Sequence, residues 1–256
     1  MSEVHATNGD GFACRLEQLE HENAELRSTL AARDAFIRQT MGSYVTAEVA
    51  DEIIAHGGEP RIDGERRVVT MLFSDIRNST RLSDQMDAAD YLRLLSHYFE
   101  DMIMIADSWG GNILELEGDA ILVVFGAPRH NEAAALHALY CAVAMQRRMP
   151  KVNAWNESQG YPTFGMGIGV HTGEVIAGTI GSDARMKYDV IGRNVNLAAR
   201  ITGFAQAGQV LASTAALEAA GKGVVECLEG THWVEPRGFT QQVLVHDIVG
   251  VGGMRM

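Results

Sequence analysis

Two aspartates end apolar, β-branched segments that predict buried strands. Asp75 closes the segment RRVVTMLFSDI, and Asp119 lies in the turn EGD between the segments NILELEG and AILVVFG. If these strands are neighbours in one sheet, the two carboxylates meet at the same edge. Carboxylate oxygens suit Mg²⁺ or Mn²⁺ ions that carry the phosphates of a nucleotide. The alternative is that each aspartate only caps its own turn.

Three carboxylates alternate in the segment LELEGD, namely Glu115, Glu117 and Asp119. A regular strand would point all three to one side, because successive side chains face opposite ways. The turn at Gly118 re-aims Asp119. We expect Glu117 to be a solvated neighbour of the other two.

His171 lies in the glycine-rich segment GVHTG. Its ordinary pKa near neutrality would suit a general base. The surrounding glycines indicate a tightly packed strand, which favours a structural role for this histidine.

The elements that must position these residues mix strand pairs with helices. Strands are predicted at RRVVTMLFSDI, NILELEG, AILVVFG, MKYDVIG, QVLAS, VVECLEG and QQVLVHDIV, with a glycine-rich strand pair at TFGMGIGVHTGEVIAGTIG. Helices are predicted at AADYLRLLSHYFEDMIMIADS, NEAAALHALYCAVAMQRRM, NVNLAARITGFAQAG and TAALEAA, and a loop at KVNAWNESQGYP. Because strands and helices do not alternate in regular βαβ units, this order predicts an α+β sandwich, beginning near Arg61.

The N-terminal segment carries a heptad pattern of apolar residues. They are Leu16, Leu19, Leu26, Leu30 and Ile37, with Asn23 at an a position. Asparagine at this position pairs with its twin in a two-stranded parallel coil. The pattern predicts a tail and short parallel coiled coil over residues 1–40, and an amphipathic helix packed on its own domain is the alternative. A further helix and a linker are predicted over 41–60, before the globular domain at 61–256.

Charge and composition exclude several classes of function. The formal net charge is -12 and the basic residues form no block, so nucleic acid is not an expected partner. The three cysteines are widely spaced without a CxxC pair, which predicts reduced thiols and no zinc site. No apolar run reaches the roughly 18 residues of a membrane span, and the first residues do not resemble a signal peptide. We therefore expect a cytoplasmic protein.

Four motifs carry a resemblance to a known family. VTMLFSDIRNSTRLS, EGDAILVVFGAP, GIGVHTGEVIAG and YDVIGRNVNLAAR resemble the class III nucleotidyl cyclases, over about Arg66 to Val249. These enzymes convert a nucleoside triphosphate to a 3′,5′-cyclic monophosphate and pyrophosphate. The resemblance implies a ferredoxin-like, palm-type α/β sandwich. It also implies a homodimer whose catalytic domains pair head to tail and form active sites at their interface, with the N-terminal coil aligning them.

The resemblance assigns metal and phosphate ligands. Asp75 and Asp119 match the two aspartates that hold two divalent cations, with the backbone carbonyl of Ile76 as a further ligand. The backbone amides of a four-residue loop would cradle phosphate oxygens at the start of the next helix. These four residues are Arg77, Asn78, Ser79 and Thr80.

The resemblance also assigns the residues that the partner chain would supply. Asn196 matches the asparagine that orients the ribose, and Arg200 the arginine that stabilises charge on the transition state. The two are four apart and share one helix face. Arg185 and Arg237 are further candidates for the terminal phosphates, with solvated surface positions as the alternative. Lysine is usual in the family where Arg237 aligns.

The two positions that select the base hold a mixed pair, Glu115 and Asp189. Adenylate cyclases commonly have lysine and aspartate there, and guanylate cyclases glutamate and cysteine. Glu115 would accept hydrogen bonds from guanine, whereas Asp189 would accept from the adenine 6-amine and oppose guanine O6. Asn78 and Ser79 replace the usual glycine and phenylalanine, which removes a ring from the base pocket. The pattern favours ATP, with GTP as the second choice and a pyrimidine nucleotide as the third.

Two rival functions follow from the same residues. One is a catalytically silent cyclase-like module that dimerises and only binds nucleotide. The other is a phosphoryl-transfer enzyme of the polymerase-palm type, which would need a basic template channel that this acidic chain lacks. Retention of Asp75, Asp119, Asn196 and Arg200 together favours an active cyclase over both.

Overall fold

The structure is a computed structural model that describes residues 15, 18–32, 63–182, 185–221, 225 and 227–256. The chain divides into two compact units, Met1–Ala50 and Asp51–Met256. In the first unit, residues 18–32 form helix α1, on which Leu19, Leu26 and Leu30 are exposed. Exposed leucines agree with a coiled-coil face, whose pairing stays a prediction. The helix expected within 41–60 lies outside the described residues.

A nine-stranded sheet forms the body of the second unit. Its strands are β1 (Asp63–Ile76), β2 (Asn112–Glu117), β3 (Ala120–Phe125), β4 (Met166–Ser182), β5 (Arg185–Ile191), β6 (Val210–Ser213), β7 (Cys227–Val234), β8 (Val243–Val251) and β9 (Met254–Arg255). The order is β2-β3-β1-β4-β6-β8-β7, with β5 paired to β4 and β9 to β8. Among the described strands, β4 and β6 form the one parallel pair, and the other pairs are antiparallel. A mixed sheet of this kind confirms the predicted α+β class.

In the part of the chain that the structure describes, five helices connect these strands. They are α2 (Ser79–Asp84), α3 (Ala88–Ser108), α4 (Ala134–Ser158), α5 (Arg193–Thr202) and α6 (Thr214–Ala220). Alternate residues of β1 divide between the two faces of the sheet, as a pleated strand requires. Leu72 and Ile76 pack in the core that α3 and α4 cover, whereas Val69 and Met71 pack on the opposite face. None of the described helices is long and apolar enough to cross a membrane.

Helix α5 lies directly on β4 at two glycines that we call the glycine groove, Gly169 and Gly173. Two further glycines, Gly165 and Gly167, approach the segment after the helix, at Ala207 and Ala205. A Cβ atom added to Gly169 would lie 2.4 Å from Thr202 Oγ1, and one added to Gly173 would lie 2.5 Å from Asn194 Cγ. Both distances are shorter than non-bonded atoms allow. The glycines of the groove are therefore required for the close approach of α5 to the sheet.

The glycine-rich segment predicted as a strand pair is a single strand, β4, of 17 residues. Residues 166–179 pair with β1, residues 168–170 also pair with β6, and residues 176–182 pair with β5. The prediction of a turn was wrong because the glycines serve the contact with α5 rather than a reversal of the chain.

The segment predicted as a loop after Met149 continues α4 to Ser158, with Pro150 inside the helix. Val152 and Asn156 are fully buried there. The side chain of Asn153 donates to the carbonyl of Phe164 at 2.8 Å and accepts from its amide at 3.1 Å. Tertiary contacts thus outweigh the backbone hydrogen bond lost at the proline. Helix α5, by contrast, ends at Thr202, before the predicted end at Gly208.

Candidate active site

Asp75 and Asp119 meet where the end of β1 lies beside the start of β3. The two strands are antiparallel neighbours, with Ser74 opposite Ile121. Asp119 lies in the short turn between β2 and β3, and Gly118 there adopts a left-handed φ of 63°. The backbone N–H of Ile76 donates to Asp119 Oδ2 at 2.9 Å, which holds this carboxylate beside Asp75. The predicted convergence of the two aspartates is therefore observed within one chain.

The Asp75 and Asp119 carboxylates interact electrostatically. Burial, together with the hydrogen bond and negative charge of Asp119, raises the pKa of Asp75 to about 6, and the Arg77 guanidinium opposes this rise. Two carboxylates at one edge favour a bound cation, because it neutralises the repulsion between them. The oxygen pair therefore fits the predicted divalent cations.

The protein would supply few side-chain ligands to the cations. No cluster of three or more His, Cys, Asp or Glu side chains that could hold a metal ion occurs among the described residues. Two aspartates must then be completed by other oxygens, such as a backbone carbonyl, water and phosphate. The role of the Ile76 carbonyl as a ligand stays a prediction.

The predicted phosphate loop follows β1 directly. Asn78 adopts a left-handed φ of 60° and precedes α2, which begins at Ser79. The amide of Arg77 donates to the carbonyl of Gly165 at 2.8 Å, which extends the pairing of β1 with the β4 segment. This amide is therefore engaged and leaves the predicted set. The amides of Asn78, Ser79 and Thr80 remain candidates for binding phosphate.

Asn196 and Arg200 lie on the exposed face of α5. The opposite face buries Leu197, Ala198 and Ile201 against the sheet. As far as the structure describes the chain, neither polar side chain has a hydrogen-bonding or ionic partner. The pair shares one face, as predicted, but a single chain does not bring it into contact with Asp75 and Asp119.

Glu115 and Asp189 are joined by Lys187, a residue that the sequence analysis did not single out. The Lys187 ammonium forms an ion pair with Glu115 and lies 3.2 Å from Asp189 Oδ2. Although burial lowers it, the hydrogen bonds to both carboxylates raise the pKa of Lys187 above its ordinary value. The amide of Val190 donates to Asp189 Oδ1 at 2.8 Å and fixes that side chain. The two candidate base-contact residues thus form one group with a donor between them.

A sequence signal for Lys187 did exist. Lys187 lies two residues before Asp189 on the same strand, so both side chains leave one face of β5. The contact with Glu115 on β2 could not be read from spacing. It depends on packing that brings Val190 of β5 into one apolar cluster with Leu122 and Val124 of β3.

The other sequence-predicted residues have different outcomes. Arg237 is exposed in the segment after β7, and Glu117 is exposed at the end of β2. Arg185 begins β5, but its side chain lies outside the described part of the structure. No contact links Arg237 to the aspartate pair, so phosphate binding by either arginine stays a prediction.

His171 is buried and hydrogen-bonded on both sides. Its Nδ1 lies 2.8 Å from Ser213 Oγ, and its Nε2 lies 3.2 Å from Asn194 Oδ1. Burial lowers the pKa of His171, and the hydrogen bond to Asn194 opposes this. The side chain therefore holds the start of α5 on β4, in agreement with the structural role expected of it.

Comparison with known proteins agrees with this geometry. Residues 64–239 match the family model described as the adenylate and guanylate cyclase catalytic domain. Adenylate cyclase 1 of Rhizobium meliloti (strain 1021) is 29% identical over 222 residues, which are 86% of this chain and 33% of that protein. The chain therefore spans about a third of the length of this curated relative.

Two solved structures are similar to this chain. The guanylyl cyclase Cya2 is 40% identical with a TM-score of 0.72, over 75% of this chain and 96% of that one. The adenylyl cyclase CyaB from P. aeruginosa is 30% identical with a TM-score of 0.69, over 73% and 96%. On the sheet topology and these matches together, the chain belongs to the family of class III adenylate and guanylate cyclase catalytic domains.

Proposed function

We propose that this chain converts a nucleoside triphosphate to a 3′,5′-cyclic nucleotide and pyrophosphate. The observation that carries this proposal is the convergence of Asp75 and Asp119 at the end of β1, beside a loop with candidate phosphate-binding amides. In the reaction, the ribose 3′-oxygen bonds to the α-phosphorus, and the bond from that phosphorus to the bridging oxygen breaks. The hydroxyl proton passes to water, and pyrophosphate leaves.

Each predicted residue has a chemical task in this reaction. Asp75 and Asp119 would hold two divalent cations, Mg²⁺ or Mn²⁺. When bound, such cations lower the pKa of the attacking hydroxyl and neutralise the leaving group. Asn196 would orient the ribose, and Arg200 would stabilise the negative charge that grows on the transferring phosphoryl group.

We infer that the working enzyme is a homodimer with catalytic domains arranged head to tail. In one chain, the exposed face of α5 has no partner among the described residues and no contact with the aspartate pair. A second copy would bring its own Asn196 and Arg200 to that pair. This arrangement gives two equivalent sites, as a two-fold dimer requires. A cytoplasmic location, where nucleoside triphosphates are available, stays a prediction.

ATP is the proposed substrate. Asp189 would accept a hydrogen bond from the adenine 6-amine, and Lys187 would donate one to adenine N1. Glu115 would then hold the Lys187 ammonium in place. Lys187 thus supports ATP by supplying the donor that the Glu115 and Asp189 pair lacks.

GTP is the second candidate, because the same three residues offer a complementary set to guanine. Lys187 would donate to O6, while Glu115 would accept from N1–H and the exocyclic amine. Pairing with Lys187 also reduces the repulsion between Asp189 and O6. The 40% identity to the guanylyl cyclase Cya2 supports this alternative.

The first test is turnover of the purified chain on ATP, GTP, CTP and UTP with Mn²⁺. We expect cyclic AMP to form fastest, and cyclic GMP well in excess of cyclic AMP would favour the second candidate. Asp75→Ala should lower turnover by at least about 1,000-fold, since the cations lose a ligand. Its oligomeric state by sedimentation should stay that of the wild type. Unchanged turnover would contradict the two-cation proposal, and no product from any nucleotide would indicate a silent module.

A further inference from the structure

The Arg77 side chain connects Asp75 to the end of helix α5. One end of its guanidinium forms an ion pair with the Asp75 carboxylate. Its Nε lies 3.3 Å from the Asp75 carbonyl oxygen. The Arg77 side chain is 19% exposed and the Asp75 side chain 40%, so the contact is partly shielded from solvent.

The other end of the guanidinium faces the C-terminal end of α5. Arg77 Nη1 lies 3.5 Å from the carbonyl oxygen of Thr202 and 3.5 Å from that of Ala205. The Thr202 carbonyl also accepts from the amide of Ala205 at 3.1 Å, and Ala205 lies in the turn just after the helix. Carbonyls at and just beyond a helix C-terminus carry partial negative charge. Arg77 therefore lies between a carboxylate and a second electronegative group.

The two groups that Arg77 joins have different tasks in the proposed reaction. Asp75 is a candidate cation ligand, and the last turn of α5 carries Arg200. In a head-to-tail dimer, Asp75 and Arg200 of one chain belong to different active sites. A single guanidinium would then contact parts of both sites.

There is room for Arg77 to move. A cavity of about 310 Å³ adjoins Arg77 and is also lined by Arg81, Gln85 and Thr163. No acidic residue lines this cavity. A displaced guanidinium could therefore turn toward solvent without forming a new ion pair there.

We propose that Arg77 is the internal counter-ion of the Asp75 and Asp119 pair and that a divalent cation displaces it. This displacement removes the Arg77 contacts with the carbonyls of Thr202 and Ala205 and so changes the conformation at the end of α5. The inference rests on the proposed function, since it takes Asp75 as a cation ligand. Arg77 is a positioning residue here, because it acts through Asp75 and α5. It competes with the cation for the same carboxylate and holds the site together when no cation is bound.

The first experiment measures Mn²⁺ binding without nucleotide, by electron paramagnetic resonance of free Mn²⁺. Arg77→Met removes the competing charge, so we expect Mn²⁺ to bind about three- to ten-fold more tightly, a partly screened pair being lost. Arg93→Met is the matched control. Arg93 also pairs with an aspartate, Asp90, but on the exposed face of α3. The Arg93→Met variant should therefore bind Mn²⁺ with the affinity of the wild type.

The second experiment follows α5 directly by amide hydrogen exchange over residues 200–206, with and without Mn²⁺. In the wild type, Mn²⁺ should change exchange in this segment. Arg77→Lys keeps the charge but cannot bridge two groups as a guanidinium does. It should bind Mn²⁺ within about two-fold of the wild type, with the α5 response lost. Arg77→Lys also tests the link between the cation site and α5 if Arg77→Met does not fold.

The outcomes separate this inference from the proposed function. If the wild type binds no Mn²⁺, or if Asp75→Ala binds it as tightly as the wild type, the proposed cation site itself is wrong. If Asp75 is needed but Arg77→Met binds Mn²⁺ equally or more weakly, Arg77 is not a competing counter-ion. If Arg77→Lys retains the α5 response, the link to the helix is overturned.

Discussion

Several charged residues of the candidate site pair with one another. Asp75 contacts Arg77, and Lys187 contacts both Glu115 and Asp189. A nucleotide or cation must therefore exchange these contacts rather than meet bare charges. Binding free energy at such a site is a difference between two paired states, which makes single substitutions informative about selectivity.

Base selection can be tested by two crossed substitutions. Asp189→Ala should lower kcat/KM for ATP by about 10- to 100-fold, the range for a lost hydrogen bond to a charged group, and affect GTP less. Glu115→Ala should show the reverse preference. Lys187→Met should lower kcat/KM for both nucleotides, because its ammonium serves either purine. Steady-state kinetics on both substrates measure all three.

Equal losses on both nucleotides for Asp189→Ala and Glu115→Ala would contradict base recognition. The three residues would then form an ion network that supports the fold. Thermal unfolding of each variant separates these cases, because a structural network would lower stability together with activity.

The residues of the site differ in how well the sequence predicted them. Convergence of Asp75 and Asp119 was predictable, because a tight turn and two adjacent strands determine it. Lys187 was missed, since its contact with Glu115 joins strands that are not neighbours in the sheet. The engaged amide of Arg77 was missed for a similar reason, as its partner Gly165 lies far away in sequence.

At the scale of elements, the glycine groove determines where α5 lies. Helix α5 carries both predicted catalytic side chains, and the groove lets its backbone reach β4. His171 adds a fixed point at the start of the helix through Asn194. Substitutions in β4 that move its backbone should therefore shift the side chains on the exposed face of α5.

Gly169→Ala tests the groove. The new methyl group would collide with Thr202, so we expect the free energy of unfolding to fall by about 1–3 kcal/mol, the usual cost of overpacking. Urea denaturation measures this. Gly203→Ala is the control, because Gly203 has an ordinary φ of -62° and its added Cβ would lie 3.3 Å from the nearest atom. Equal stability of the two variants would contradict the groove.

Most elements were predictable from hydrophobic periodicity, including β2, β3 and α3. The errors fell where tertiary contacts outweigh local preference. Pro150 indicated the end of a helix, yet buried contacts of Val152 and Asn156 continue α4 past it. The glycines of β4 indicated a strand pair with a turn, whereas in the structure they allow α5 to pack closely on a single strand.

At the scale of the whole molecule, the N-terminal segment is expected to align two catalytic domains. Deletion of residues 1–40 should weaken dimerisation by about 10-fold or more, because a linked coil raises the effective concentration of the two domains. Turnover per chain should fall at low protein concentration and recover at high concentration. Sedimentation velocity and activity over a dilution series measure both.

The deletion has a clear contrary result. If dimerisation and turnover are both unchanged, the coil either has no role in this activity or contacts another partner. In the second case, the exposed residues Leu19, Leu26 and Leu30 on α1 would form the surface that binds this partner.

The exposed, unpartnered face of α5 has a consequence that can be stated in genetic terms. If Arg200 acts only on the phosphates held by another copy, Asp75→Ala and Arg200→Ala are defects in different halves of each site. A mixed dimer of the two inactive chains then contains one site with both defects and one site with neither. Co-expression should restore about a quarter of wild-type activity, because half of the dimers are mixed and each has one intact site. Two recessive null alleles of this gene would thus complement each other within a single cell.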